Sequence, residues 1–109
     1  MKAKQIYKEK IAEDGYIQEQ VVWLLDTPVT GCRHLFKYRL YFGTDDGVCL
    51  VRYDNERGKG DHKHIAGIES PYTFSTMEAA FSDFIADIDS ILQNEDRNHE
   101  RLQGWNKEP

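Results

Sequence analysis

The 109-residue sequence predicts an α+β fold, an antiparallel sheet of about five strands with one long C-terminal helix packed on a face. Three observations carry this. Apolar and polar residues alternate cleanly from His34 to Phe42, the period of a strand with one buried face. Turn signals recur at short intervals as far as Pro71. Beyond Ser75 the apolar period changes to three and four, the period of a helix.

The elements follow in order. Gln5 to Ile11 alternates loosely and reads as a first strand, and Asp14-Gly15 is a two-residue hairpin turn that requires positive φ. Tyr16 to Leu25 is a second strand with a strongly apolar end, and Pro28 and Gly31 punctuate the connection that follows. In the third strand Phe36, Tyr38, Leu40 and Phe42 share one face, with Lys37, Arg39 and Tyr41 on the other. Gly43 to Gly47 is a turn, and Val48 to Asp54 is a fourth strand. Asn55 to His64 contains no apolar side chain and reads as a charged loop; His64 to Ile68 is a short fifth strand, closed off by Pro71. Ser75 and Glu78 have the spacing of a capping box, and Met77, Ala80, Phe81, Phe84, Ile85, Ile88, Ile91 and Leu92 form the stripe of a helix over 75–92. Residues 1–94 thus make one domain, and 95–109, anchored only by Trp105, read as a polar, flexible tail.

Composition narrows the classes of function. Apolar residues at 39% and charged residues at 30% fit a soluble globular domain, and no apolar run approaches the ~20 residues of a membrane helix. There is no secretory leader, and Cys32 and Cys49 lack metal-binding or disulfide-framework spacing, so a reducing cytoplasm is expected. The net charge of −5 argues against wholesale nucleic-acid binding, but it is uneven. Residues 33–64 carry seven basic and five acidic groups, whereas 65–109 carry three basic and nine acidic. The middle suits an anion and the C-terminal part a basic partner.

The stretch from Arg52 to His64 carries the chemistry. Gly58 and Gly60 permit close backbone approach to a phosphate, and Arg52, Arg57, Lys59 and Lys63 supply cations around it. His62 and His64 can transfer protons near neutral pH, with Asp61 placed to orient one of them. These are the groups that metal-free cleavage of RNA needs: a base for the 2′-hydroxyl, an acid for the leaving oxygen, and cations for the charge on phosphorus. Two alternatives stay open. His62 and His64 with Asp61 or Asp54 could form a two-histidine, one-carboxylate metal site. The stretch could also be a solvated hairpin connection, or dock an anion or an acidic protein without turnover. No cofactor is expected.

Three runs also carry a resemblance: Lys37-Tyr-Arg-Leu-Tyr-Phe-Gly43, Arg52-Tyr-Asp-Asn-Glu-Arg-Gly-Lys-Gly-Asp-His-Lys-His64, and Glu69-Ser-Pro-Tyr-Thr-Phe74. Together they resemble the TumE-type toxins of prokaryotic toxin–antitoxin modules, over about residues 5–92. The resemblance implies a cytoplasmic toxin, a ribonuclease or a ribosome-directed protein by analogy with other small toxins, whose partner is a cognate antitoxin with a helix-turn-helix region. Homodimerisation is left open.

Overall fold

The structure, a computed structural model, describes the backbone of residues 2–106 and the side chains as far as Asn94. Six strands, β1 (Ala3–Glu13), β2 (Tyr16–Leu25), β3 (Phe36–Thr44), β4 (Cys49–Glu56), β5 (Gly60–Ile65) and β6 (Ile68–Pro71), precede one helix, α1 (Met77–Asn106). The strands lie in chain order, each antiparallel to the next. The α+β class and the helix on a sheet face agree with expectation, with six strands in place of about five.

The differences have physical causes. The expected loop at 55–64 is a hairpin: β4 runs on to Glu56, only residues 57–59 turn, and His62 and His64 stand on β5. Polar composition hid a strand here because its polar side chains are turned against one another as close charged pairs rather than out to solvent. Asn55 is fully buried and His62 is 3% exposed. Gly60 is required at its position. Its φ is 73°, and a Cβ there would stand 2.9 Å from the Gly31 carbonyl oxygen. Ala66 and Gly67, both at positive φ, then turn the chain into the additional strand β6. At the helix start Thr76, not Ser75, is the cap; its hydroxyl accepts the Ala79 N–H at 3.0 Å. The helix backbone continues past Leu92 to Asn106, and the side chains of the expected tail, Trp105 included, lie outside the described residues.

The core lies between α1 and the central strands. Val22, Tyr38, Leu40, Phe42, Val51 and Tyr53 from the sheet meet Met77, Ala80, Phe84 and Ile88 from the helix. Phe84 is fully buried, edge-on to Tyr53 at 5.9 Å between ring centroids. Two aspartates of α1 take hydrogen bonds from tyrosines that precede the helix. The Tyr53 hydroxyl donates to Asp87, and that of Tyr72 to Asp83 at 2.6 Å.

Truncating Phe84→Ala should cost about 3–5 kcal/mol, because no neighbour can fill the space of a fully buried ring. Urea denaturation reads this directly, and an unchanged midpoint would contradict the packing. Asn55→Ala should cost about 1–3 kcal/mol for each buried backbone partner it leaves unpaired, those partners being Phe36 and Tyr38.

Candidate functional site

Antiparallel registry sorts the polar residues of β4 and β5 onto two faces. Arg52, Asp54, His62 and His64 point away from α1, onto the open face of the sheet. Two rows cross that face: Glu19, Tyr41, Arg52, His64 and Glu69 in one, Arg39, Asp54 and His62 in the other. The face expected for Lys37, Arg39 and Tyr41 is therefore met, and Arg52 joins it through its pairing with Tyr41.

Within these rows the side chains form one continuous chain of contacts. Asp54 lies between Arg52 and His62, Oδ2 3.2 Å from Arg52 Nε and Oδ1 2.7 Å from His62 Nε2. His62 Nδ1 faces the Gly60 carbonyl at 3.1 Å, so both of its nitrogens lie close to oxygen atoms. An Arg52 Nη2 donates to His64 Nε2 at 2.8 Å, which fixes the lone pair of His64 on that atom. Glu69 Oε2 stands 3.8 Å beyond, and a hydrogen bond from Lys59 holds the Glu69 carboxyl below the usual carboxylate range. His62 is sealed and His64 is one-fifth exposed, so only His64 can meet a ligand directly.

The turn residues crown this array. Arg57 is exposed and has no ion pair among the described residues. Lys59 is 3.3 Å from Glu69 and 4.0 Å from Glu56. The Gly58 N–H donates to the Thr30 carbonyl at 2.8 Å, which ties the turn to the 26–35 connection.

Asp61 and Lys63 stand on the other face, towards α1. Lys63 Nζ lies 3.6 Å from Asp87 and over the Tyr53 ring. Asp61 orients a histidine, but that histidine is His34, whose role the sequence did not signal. His34 Nδ1 accepts the Phe36 N–H at 3.1 Å, so Nε2 carries the proton and donates to Asp61 at 2.8 Å. The Tyr38 hydroxyl donates to the same carboxylate oxygen at 2.6 Å. Burial, then this hydrogen bond, push the Tyr38 phenol well above its ordinary range. Burial and the Asp61 charge likewise push the Cys32 thiol up, away from nucleophilic use. His34 is also stacked on Phe74 at 3.7 Å.

Two groups bring three metal-donor atoms within 4.8 Å of one another: Cys32, His34 and Asp61, and Asp54, His62 and His64. In the first, the His34 nitrogen facing the group carries a proton and has no lone pair to give. In the second, the Arg52 guanidinium touches both Asp54 and His64, so a fixed positive charge already stands where a cation would have to enter. Both groups are better matched to hydrogen bonding than to a metal.

A small α+β domain with a charge-ordered open face is what these observations define. The family model of toxin TumE matches residues 2–92, every strand and most of the packed length of α1, and the chain belongs to the TumE toxin family. It is the toxin component of a toxin–antitoxin module, and an antitoxin partner follows from that membership. No curated protein matches the chain, and no solved structure does. Among the described residues no helix is long and apolar enough to cross a membrane.

Three phenols, Tyr38, Tyr53 and Tyr72, are raised above their ordinary value, each by burial first and then by a hydrogen bond to an aspartate. The fold therefore favours their protonated forms. Their contribution to stability is complete below the unfolded value of about 10 and is lost as pH climbs above it. Urea midpoints should fall steeply above pH ~10, and more gently in Tyr53→Phe, which has one such proton fewer.

Proposed function

We propose that this toxin acts on RNA by metal-independent cleavage at the open face of the sheet, with His64 as the proton-transfer group. The observation that carries the reading is the contact of a partly exposed imidazole with a guanidinium, His64 Nε2 to Arg52 at 2.8 Å. When a bound phosphate draws the guanidinium away, His64 Nε2 is free to take the 2′-hydroxyl proton; the 2′-oxygen bonds to phosphorus as the bond to the 5′-oxygen breaks, the departing oxygen takes a proton from water, and Arg52 meets the charge that builds on phosphorus.

The surrounding groups take defined parts in this reading. Arg57 and Lys59 hold phosphates of the chain at the hairpin tip, and Arg52 holds the scissile one; the Gly58 N–H is committed to the Thr30 carbonyl and serves the turn. Gly60 is packed against Gly31, so its role is to close the turn rather than to approach the substrate. His62, sealed against Asp54, is a positioning residue that keeps Arg52 and His64 in register. Lys63 and Asp61, on the opposite face, serve the fold. Lys37 and Arg39, the latter 4.9 Å over the Tyr41 ring, extend the surface along which a single strand can lie.

Induced expression of His64→Ala beside wild type, with growth and total RNA followed, tests the proposal. The variant should keep its thermal midpoint and lose toxicity, with RNA cleavage slowed about 10²–10⁴-fold. A chelator should leave wild-type cleavage unchanged. Full toxicity of His64→Ala would refute the assignment. Growth arrest by wild type with RNA intact would instead support a non-catalytic anion- or protein-binding module that acts through its helix-turn-helix partner.

A further inference from the structure

The helix side of the sheet is only half covered. Six strands about 4.8 Å apart make a surface far wider than one helix of about 10 Å diameter. α1 packs on β3 and β4. All eleven residues of β1 are exposed, among them Ile6, Tyr7 and Ile11, and on the flank of α1 Ile85 is 41% exposed. Between strand and helix runs an apolar valley, narrowed midway where the Tyr7 ring meets Phe81 edge-on at 5.6 Å between centroids. One end is a depression of about 400 Å³ walled by Ile6, Tyr7, Val22, Phe36, Met77 and Phe81. The other, about 220 Å³, is walled by Ile11, Tyr16, Phe42 and Leu92. From Met77 to Leu92 it is roughly 22 Å long at 1.5 Å per residue, about four helical turns.

Every charged side chain that lines the valley and its helix shoulder is acidic: Glu13, Asp14, Glu78 and Asp89. Residues 77–94 of α1 contain no lysine or arginine at all. An apolar floor between acidic rims fits an amphipathic helix with basic flanks. It does not fit a second copy of this chain through the same valley, which would bring acidic rim against acidic rim. Pairing of two β1 edges would set Lys8 and Lys10 of one copy close to those of the other, and edge lysines of this kind oppose such pairing.

We propose that this valley is the seat of the antitoxin, which lays a basic amphipathic helix beside α1 and completes the second layer over β1 and β2. The identity of the occupant rests on membership of the toxin family and not on the RNA-cleavage reading. Antitoxin binding by His64→Ala, on the opposite face, keeps the two apart: its affinity should equal that of wild type whatever happens to its toxicity.

The test uses the full-length toxin, the antitoxin encoded with it, and the single variants Ile11→Lys and Ile85→Lys. Both side chains are already about two-fifths exposed, so neither change empties the core. Each should weaken antitoxin binding at least tenfold while the thermal midpoint stays within a few degrees, and wild-type affinity should fall as salt rises. Affinities within twofold of wild type for both variants would overturn the proposal. So would an isolated toxin that is a dimer and becomes monomeric on Ile85→Lys, because the valley would then belong to a second copy.

Discussion

One buried carboxamide holds the two halves of this protein in register. The ladder between β3 and β4 ends at the pairing of Arg39 with Asp54, yet β3 continues back to Phe36. The side chain of Asn55 takes over from the β4 backbone there. Its Oδ1 accepts the Tyr38 N–H at 3.1 Å and its Nδ2 donates to the Phe36 carbonyl at 2.7 Å. Only a group with a donor and an acceptor side by side can replace a strand in this way, and an aspartate or a leucine there would leave a buried backbone group unpaired. Tyr38 is thereby fixed, and with it the phenol that reaches Asp61, the imidazole of His34 on the same oxygen, and the ring of Phe74 stacked on it. Asp54, the next residue back along β4, holds His62 on the opposite face.

The hairpin of β4 and β5 therefore organises two polar networks, one on each side of the sheet, with almost no apolar residues of its own in β5. Placing His62 and Asp54 in a nearly dry environment costs desolvation that their attraction only partly returns. What such an arrangement supplies is uniqueness. A one-residue slip of β5 against β4 would put Lys63 opposite Arg52 and Asp61 opposite Asp54, like charge against like, and turn His62 towards α1, away from Asp54. The cluster thus specifies the register that an apolar strand would have fixed by hydrophobic contacts.

This also explains what could be read from the sequence. β2, β3 and the stripe of α1 were legible because burial and period coincide there: Tyr38, Leu40, Phe42, Phe84 and Ile88 are both periodic and buried. The Asp14-Gly15 turn was legible because both residues need positive φ and have it, 54° and 82°. The strand at 60–65 was not, because a run of glycine, aspartate, histidine and lysine looks solvated unless its partners are known, and those partners lie on β4, β6 and the 26–35 connection. For the same reason His34, Tyr38 and Asn55 gave no sign of acting together. Contacts across 17 to 27 residues of chain leave no local pattern. Of the candidate site, the residue types were evident in the sequence and the division between faces was not.

Charge pairing decides which of the cations shape the site and which are seen from a distance. Arg39 is matched by Glu19, Arg52 by Asp54, Lys59 by Glu69 and Lys63 by Asp87, so these four contribute mainly local geometry and little far field. Arg57 and Arg33 have no such match among the described residues, and the 26–35 connection that carries Arg33 is tied to the turn that carries Arg57 through the Gly58–Thr30 hydrogen bond. A polyanion approaching a protein of net charge −5 is therefore drawn to these two arginines and to the exposed Lys8 and Lys10 of β1, while the rim of Glu13, Asp14, Glu78 and Asp89 repels it. The same rim attracts a basic protein segment to the helix side. Opposite fields on the two sides give one small domain a face that attracts anions and a face that attracts cations, although its overall charge alone would favour only the second.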